Sequence, residues 1–310
     1  MGRVARWKVS GVEGWYHVYA KVAAYRGDYP LCKAAATRKL VDLVKHYAGL
    51  YFCEVAAFCV MGNHYHLVMR FDAERPVPRE ELERRARRMY PGRSFDLVTG
   101  LWTEEDWERY RERLFDLSEY MRNVQAAYGR WYNDTFGREG RFWSDRFKSS
   151  ILGDMQAVLD CMLYVELNPV RAGLVERPEA WEGSSIYLRE LGEDGWLMPI
   201  EAVMNLGSRR QALREYRERL YYRGSVPTKE GQAAISPEVL KAEEARGFTS
   251  RGMYRKRLRY WVDGLAVGSE AFILEQLGKL REARYYRRRK NPIPQLGGVH
   301  LSLRAQRSTS

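Results

Sequence analysis

Residues 58–68 are the most informative segment of this sequence and read Phe58-Cys59-Val60-Met61-Gly62-Asn63-His64-Tyr65-His66-Leu67-Val68. Two apolar, aromatic-rich runs lie on either side of a short Gly/Asn turn, and they predict a β-hairpin with strands over 50–60 and 64–71. Successive side chains of a strand point to opposite faces of a sheet, so His64 and His66 project from the same face. The hairpin therefore presents a pair of imidazoles on one surface.

The sequence around the hairpin predicts a sheet covered by helices. Aromatic and β-branched runs indicate strands over 14–22 and 141–152. Apolar residues at helical spacing indicate helices over 33–49, 114–132 and 154–168. Strands with intervening helices are typical of an α+β domain.

The rest of the chain divides by composition. Residues 72–112 are rich in Arg and Glu and interrupted by prolines, which predicts a charged, mostly solvated insertion with one or two short helices. Gly and Pro accumulate shortly before residue 200, so we expect one domain over 1–190 and a small all-helical C-terminal domain over 200–290. Residues 291–310 have the composition of a flexible tail. The C-terminal helices are predicted over 208–223, 236–246, 250–263 and 269–290.

Composition excludes several classes of protein. With 45% hydrophobic residues among 310, the chain can bury a core and does not resemble a disordered or collagen-like protein. No run approaches the ~18 apolar residues of a membrane span, and no apolar segment follows the basic N-terminus as in a secretory signal. We therefore expect a cytoplasmic protein without a membrane partner. The four cysteines form no CxxC pair, so neither a disulfide framework nor a cysteine zinc site is expected.

The net charge of +12 is concentrated at one end of the chain. Residues 1–200 contain 29 basic and 29 acidic side chains, whereas residues 201–310 contain 23 basic and 11 acidic side chains. A polycationic C-terminal third beside an electrically balanced remainder indicates an anionic polymer as partner.

The histidine pair is a candidate metal site. Two neutral imidazoles on one strand face can bind a divalent cation, although such a pair also arises by chance on a surface. On the predicted helix over 154–168, Tyr164 and Asn168 lie one turn apart on the same face. If this face packs over the sheet, Asn168 can supply an oxygen ligand, and Tyr164 a phenol that attacks a metal-polarised phosphate. Most of the 21 tyrosines must serve packing or the surface, and Tyr164 alone is open to that interpretation too.

These residues lie in motifs that resemble one protein family. The second motif reads Tyr164-Val165-Glu166-Leu167-Asn168-Pro169-Val170-Arg171-Ala172-Gly173-Leu174-Val175. Together with the hairpin stretch, it resembles the REP-associated tyrosine transposases, relatives of the single-tyrosine HUH transposases of small insertion sequences. Lesser features agree in order over roughly 10–190. They are Tyr16-His17-Val18, Gly140-Arg141-Phe142-Trp143, Arg146-Phe147-Lys148, Trp181 and Ser184-Ser185.

The resemblance implies a fold and a set of site residues. The implied fold is a HUH-type central antiparallel sheet of four or five strands, ferredoxin-like or RRM-like, flanked by helices, with the two-histidine strand at its centre. His64 and His66 would be metal ligands, Asn168 the probable third ligand and Tyr164 the nucleophile. The implied metal is Mg²⁺ or Mn²⁺, whereas imidazole chemistry alone also suits Zn²⁺.

The resemblance also implies an activity. Tyr164 would attack a phosphate of single-stranded DNA, leaving a 5′-phosphotyrosine and a free 3′-hydroxyl, and attack by another 3′-hydroxyl would rejoin strands. The expected partners are single strands and hairpins formed by short palindromic repeats. We therefore expect a transposase that acts on DNA in the cytoplasm, at the nucleoid.

Two basic segments are candidate DNA contacts. The first mixes cations with an aromatic ring that can stack on bases, namely Arg141, Trp143, Arg146 and Lys148. An amphipathic strand with core aromatic residues explains this pattern equally well. The second holds six cations and one acid within 281–290, which suits phosphate contacts from a helical basic accessory domain but also a solvated chain end. Its candidate residues are Arg284, Arg287, Arg288, Arg289 and Lys290.

Two other functions stay open on the sequence alone. A metal phosphoesterase would use His64 and His66 with water as the nucleophile and leave Tyr164 a structural role. A non-catalytic DNA-binding regulator would need only the basic C-terminus. The sequence does not decide between a monomer and a dimer, and in a dimer the tyrosine can come from the partner's helix.

Overall fold

The computed structural model describes residues 8–9, 11–25, 27–228, 230–248, 264–283, 292–295 and 300–304. Within these residues, seven strands form one mixed sheet, and helices pack on both of its faces. The predicted α+β class is therefore confirmed.

The sheet has an antiparallel centre. Its strands are β1 (Gly14–Lys21), β2 (Cys53–Val60), β3 (His64–Phe71), β4 (Lys148–Leu152), β5 (Gly264–Gly268), β6 (Ile293–Gln295) and β7 (His300–Arg304). They follow the order β2-β3-β1-β4-β5-β7-β6, and all neighbours are antiparallel except β4 with β5. The two-histidine strand β3 thus lies inside the sheet, between β2 and β1.

The helices agree with most of those predicted. They are α1 (Ala34–Ala48), α2 (Arg79–Met89), α3 (Arg93–Thr99), α4 (Glu104–Leu114), α5 (Leu117–Phe136), α6 (Met155–Glu166), α7 (Asn168–Arg171), α8 (Ser185–Leu191), α9 (Ile200–Met204), α10 (Arg209–Gly224), α11 (Pro237–Ala245) and α12 (Glu270–Glu282). The predictions match α1, α5, α6, α10, α11 and the described part of α12, whereas the helix predicted over 250–263 lies outside the described residues. No helix of the described chain is long and apolar enough to cross a lipid bilayer.

Strand periodicity divides the core into two layers. On one face of the sheet, Val18, Tyr65 and Leu67 pack in the same apolar cluster as residues of α1 and α5. On the other face, apolar residues of β2 and β3 pack against α6, which is covered in turn by α10. His17 and His66 alternate with the residues of the first layer, so they belong to the face covered by α6. The two-residue period of the strands thereby brings the histidines under one particular helix.

The N-terminus of α6 is tied to the C-terminal part of the sheet. The Asp154 carboxylate accepts hydrogen bonds from the backbone N–H of Ala157 at 2.8 Å and of Ser269 at 2.9 Å. His300 Nε2, on β7, lies 3.1 Å from the same carboxylate. Burial alone would raise the pKa of Asp154, but the hydrogen bonds from His300 and the backbone outweigh it and lower the pKa. The last strand of the chain therefore helps to hold the start of α6.

The charged segment over 72–112 differs from the prediction. It forms three helices rather than one or two. Most of its residues are exposed, as predicted, but the helices also enclose an apolar cluster. The cluster consists of Phe52, Leu82, Ala86, Phe95, Trp107, Tyr110 and Leu114. Its members come from three short helices and from Phe52, the residue before β2. No single window of sequence therefore shows a regular apolar spacing.

The strand predicted over 141–152 is shorter in the structure. Only β4 is regular, and the preceding segment makes an isolated bridge between Trp143 and Val22, the residue after β1. Phe142 and Phe147 are both buried, although a strand would send them to opposite faces. The irregular backbone over 141–147 is what allows both rings to reach apolar surroundings.

The all-helical character predicted for the C-terminal part is wrong. The sequence indicates a turn over 264–268 and a tail over 291–310. In the structure, β5 lies in the first range and β6 and β7 lie in the second, and all three strands extend the central sheet. These strands have three to five residues, too few to display periodicity, and their partners are remote in sequence. The apolar cluster that includes α6 also contains residues from both sides of the predicted domain boundary at 190–200, for example Val158 and Tyr216. The two predicted domains therefore share one core.

Candidate active site

His17 and His66 form a buried pair on neighbouring strands. The His17 Nε2 and His66 Nδ1 atoms are 2.9 Å apart, and the rings stack with centroids 5.2 Å apart and 9° between their planes. Each residue is only 1% exposed. Burial, followed by repulsion from His17 and His64, holds the pKa of His66 well below its ordinary value, so this ring is neutral at pH 7.

His64 lies beside the pair at the start of β3. Its ring centroid is 5.2 Å from that of His66, with nearly perpendicular planes. Its Nδ1 lies 2.8 Å from the Asn63 side-chain oxygen, so Nδ1 donates and Nε2 keeps its lone pair. Burial and then the charge of Lys21, the residue opposite on β1, lower the pKa of His64 to about 4. His64 is therefore in the neutral form that binds metals.

Tyr164 reaches the histidines from α6. Its ring centroid is 5.9 Å from that of His17 and 5.6 Å from that of His66, with interplanar angles of 89° and 86°. Both are edge-to-face contacts of the kind that aromatic rings prefer. The residues converge within one chain, so a second subunit is not needed for this contact.

Asn168 uses its side-chain amide within the helix end. As the first residue of α7, it donates from Nδ2 to the carbonyl oxygens of Tyr164 at 2.9 Å and Val165 at 3.2 Å. These carbonyls belong to the last turn of α6, where intrahelical partners run out. No contact among the described residues joins Asn168 to His64 or His66. Its assignment as third metal ligand stays a prediction.

A divalent cation fits the histidines but would need further ligands. The Asn63 and His17 hydrogen bonds orient the rings of His64 and His66, which is the arrangement found around metal-ligating imidazoles. Nowhere in the described chain do three His, Cys, Asp or Glu side chains form a metal-binding cluster. The two histidines would therefore hold a metal together with an amide, water or substrate oxygens, which are the ligands that Mg²⁺ and Mn²⁺ accept.

Sequence reasoning missed His17 and Tyr19. The Tyr19 ring lies 5.4 Å from that of His64 and 5.2 Å from that of His66. His17 belongs to the Tyr16-His17-Val18 motif, but a single histidine in an apolar strand is usually a core residue, so the sequence assigns it no role in the site. The available signal was that His17 and Tyr19 share one strand face, as His64 and His66 do, and that the two strands pair in the sheet.

Three cations surround the histidines and Tyr164. Lys21 of β1 is opposite His64 of β3, and Lys148 of β4 is opposite Tyr19 of β1. Both lysines are exposed. The third is Arg171, at the end of α7, whose guanidinium carbon lies 5.9 Å from the ring centroid of Tyr164. The face of the sheet under α6 is thus bordered by positive charge.

Buried polar groups hold α6 in place. The fully buried Glu166 accepts hydrogen bonds from the Ser185 hydroxyl and, at 2.6 Å, from the Tyr216 hydroxyl. Burial raises the pKa of Glu166 to about 7, against the lowering effect of these hydrogen bonds. Six residues earlier on the same helix, Asp160 pairs with Arg223 of α10. These contacts connect the Tyr164 helix to α8 and α10.

The predicted DNA contacts lie in different environments. Arg141, Arg146 and Lys148 are exposed. Trp143 is half-buried: its Nε1 donates to the Gln125 carbonyl at 2.8 Å, and its ring packs on that of Tyr65. This packing accounts for Trp143 without DNA, and a DNA contact by its exposed part stays a prediction. The remaining predicted contacts, Arg284, Arg287, Arg288, Arg289 and Lys290, lie outside the described residues.

Two cavities lie elsewhere on the protein. One of about 880 Å³ is lined by α1 and residues between 175 and 196, and another of about 520 Å³ adjoins the end of α1 and the start of β2. Neither is lined by a histidine of the site or by Tyr164. The candidate active site is therefore separate from both.

Among solved structures, the chain is similar to a REP-associated tyrosine transposase bound to a REP hairpin. The sequence identity is 14% and the TM-score 0.41, and the match covers 62% of this chain and 86% of that chain. No protein-family model and no curated protein matches the sequence. A likeness of this size assigns no activity, so the function must be argued from the site itself.

Proposed function

We propose that this protein cleaves and rejoins single-stranded DNA through a covalent bond to Tyr164. One observation carries the proposal: the Tyr164 ring lies edge-on against the rings of His17 and His66, 5.9 and 5.6 Å away, where three histidines gather. A phenol beside neutral imidazoles and a positively charged border is suited to attack on a phosphate. The two sequence motifs that resemble tyrosine transposases support the same interpretation.

In the proposed reaction, the Tyr164 oxygen forms a bond to phosphorus while the bond from phosphorus to the 3′-oxygen breaks. The phenol loses a proton, and the departing 3′-oxygen gains one. His17 is not the acceptor while it orients His66, because its Nε2 then accepts from His66 Nδ1 and its Nδ1 carries a proton; the phenol proton passes to solvent. Attack by another 3′-hydroxyl reverses the step, restores the phosphodiester and frees Tyr164. The bond energy is retained throughout, so no nucleotide cofactor is needed.

When bound, Mg²⁺ or Mn²⁺ would polarise the scissile phosphate. His64 and His66 would hold the cation through ring nitrogens, with Asn168 as the proposed third ligand. The chain contributes the orientation of these rings, because Asn63 fixes that of His64 and His17 that of His66.

The surroundings favour a strand of DNA as substrate. Exposed Lys21 and Lys148 flank the aromatic site, and Arg141 and Arg146 lie in the segment that leads to β4. Exposed cations attract a phosphate backbone. We propose hairpins with single-stranded flanks as substrates, on the basis of the resemblance of the two sequence motifs to those of the REP-associated tyrosine transposases. Such a role would place the protein at cytoplasmic DNA.

The test is a covalent adduct. Labelled hairpin oligonucleotides with single-stranded flanks are incubated with the protein and Mg²⁺ or Mn²⁺, and a denaturing gel is searched for protein-linked label. We expect an adduct with the wild type and none with Tyr164→Phe. The control is Tyr25→Phe, which removes the hydroxyl of a tyrosine that is 89% exposed and should leave the adduct unchanged.

The alternatives give different gels. If Tyr164→Phe still cleaves DNA without an adduct, water is the nucleophile and the protein is a metal phosphoesterase. If DNA binds without cleavage, and binding survives both a chelator and the loss of His64 and His66, the protein is a non-catalytic regulator. Either result refutes the proposal.

A further inference from the structure

Arg171 is a buried charge without a carboxylate partner. It ends α7, is only 9% exposed, and makes no ion pair with another described residue. Its Nε and Nη2 atoms are buried and have no hydrogen-bond partner in the described part of the chain. Two forked donors are therefore withdrawn from water with no acceptor in the described part of the chain.

Other buried arginines of this protein do have acidic partners. Arg189 pairs with Asp194 at 3.1 Å, and Arg223 pairs with Asp160. Around Arg171 the arrangement is reversed, because the neighbouring charge is the guanidinium of Arg223. Burial lowers the pKa of Arg171 to about 10; repulsion from Arg223 adds to this effect, and the Tyr164 hydroxyl opposes it. Even so, Arg171 is charged at pH 7.

The position of this charge indicates what it is for. The guanidinium carbon lies 5.9 Å from the Tyr164 ring centroid, within the range of a cation–π contact. An unpaired buried cation is unfavourable in the free protein, and such a cost is typically tolerated where a ligand or reaction requires it. A guanidinium matches two oxygens of a phosphate at once, and it does so without needing a proton from solvent.

We propose that Arg171 binds the phosphate group that Tyr164 attacks. This inference rests on the proposed function and adds to it a catalytic residue that touches the substrate. The Nε and Nη2 donors would receive the non-bridging phosphate oxygens and stabilise the negative charge that builds up on them in the transition state. The phosphate in turn would supply the anionic partner that no described residue provides.

The first experiment measures anion binding without any DNA cleavage. Thermal unfolding of the full chain is followed with rising inorganic phosphate, at an ionic strength held constant with chloride. For the wild type we expect Tm to rise with phosphate, by about 2 °C at ten times the dissociation constant. Arg171→Gln should lose this rise, and Arg171→Lys should keep part of it. The control is Arg130→Gln, which removes an exposed cation of α5 on the opposite layer and should behave as the wild type.

The same variants separate a ligand-binding role from a structural one. Without phosphate, Arg171→Gln should unfold at the same temperature as the wild type or higher, because it removes an unpaired buried charge. A lower Tm for Arg171→Gln, together with an unchanged phosphate response in Arg171→Lys and Arg171→Gln, would overturn the proposal, since the side chain would then be structural.

The second experiment asks whether the phosphate belongs to DNA. Adduct formation with the labelled hairpin should be about 100-fold slower in Arg171→Gln than in the wild type, with partial rescue in Arg171→Lys. If phosphate protects the protein but the adduct forms at the wild-type rate in Arg171→Gln, the site takes a free phosphate and the assignment to the scissile group is wrong. If the wild type forms no adduct, the proposed function fails, whereas the phosphate titration still decides whether Arg171 binds an anion.

Discussion

Glu166 links the pH of the solution to the stability of the helix that carries Tyr164. Its pKa is about 7 in the folded protein because burial outweighs the hydrogen bonds from Ser185 and Tyr216 and the charge of Arg189. The ordinary value of 4.5 applies to the unfolded chain. The folded pKa is the higher one, so folding favours the protonated acid. The contribution of protonated Glu166 to the free energy of unfolding is complete below about pH 4.5 and is lost as the pH rises through 7.

Glu166→Gln isolates this effect. Glutamine has nearly the shape of the protonated acid, does not ionise, and can pair with both the Ser185 and Tyr216 hydroxyls. The difference between 4.5 and about 7, at ~1.36 kcal/mol per pH unit, corresponds to about 3 kcal/mol of unfolding free energy. The wild type should therefore lose about 3 kcal/mol on going from acid to pH 8, and the variant should not.

The assay is urea unfolding of both proteins, followed by circular dichroism at pH 5, 6, 7 and 8. Charges common to both proteins cancel in the difference of their unfolding free energies, and that difference should change by about 2–3 kcal/mol in favour of the variant between pH 5 and 8. Glu182→Gln, at an exposed position, serves as a control whose curve should run parallel to that of the wild type. Parallel curves for Glu166→Gln would refute the reasoning, because Glu166 would then be ionised in the folded protein at pH 5.

Two further predictions concern the histidine pair and the C-terminal packing. His17→Gln removes the imidazole that orients His66 and should weaken Mn²⁺ binding about 10- to 100-fold in calorimetry. The control is His46→Gln, on the exposed side of α1, which should bind Mn²⁺ as the wild type does. Equal Mn²⁺ affinities of His17→Gln and the wild type would show that His17 has no part in the site. Gly153→Ala would place a methyl group against the Phe272 ring of α12 and should lower the unfolding free energy by about 1–3 kcal/mol in urea titrations. Adding Phe272→Leu to this variant should restore much of the lost stability. An unchanged unfolding free energy for Gly153→Ala would mean that α12 does not pack at this position.

The centre of the fold could be predicted because its signals are local. The hairpin over 50–71 shows both a turn and strands in consecutive residues, and the helix over 154–168 shows a capping Asp154 with apolar spacing. By contrast, β5 consists of Gly264–Gly268, a strand that is held by antiparallel pairing with β7 and by parallel pairing with β4. That pairing joins residues more than 100 positions apart, so nothing in the local sequence distinguishes this strand from a glycine-rich turn.

The site could be predicted where the residue types themselves carry the chemistry. His64, His66 and Tyr164 stand out because imidazole and phenol groups at that spacing suggest metal binding and nucleophilic attack. Arg171 does not stand out, since one arginine among many has no visible role until its burial and missing partner are known. For His17 the decisive fact is its 2.9 Å contact with His66, which depends on how β1 and β3 align.

The end of α6 places several groups of the proposed reaction on one rigid piece of backbone. Tyr164 and Arg171 are separated by seven positions across α6 and α7, whereas the histidines lie on strands. Glu166 and Asp160 attach this piece to α8 and α10 through Ser185, Tyr216 and Arg223. Tyr164 and Arg171 are therefore attached to α10 through the same stretch of backbone, whereas the histidines are held by the sheet. The C-terminal third thus does more than add positive charge, because α10 packs against the helix that carries the proposed nucleophile.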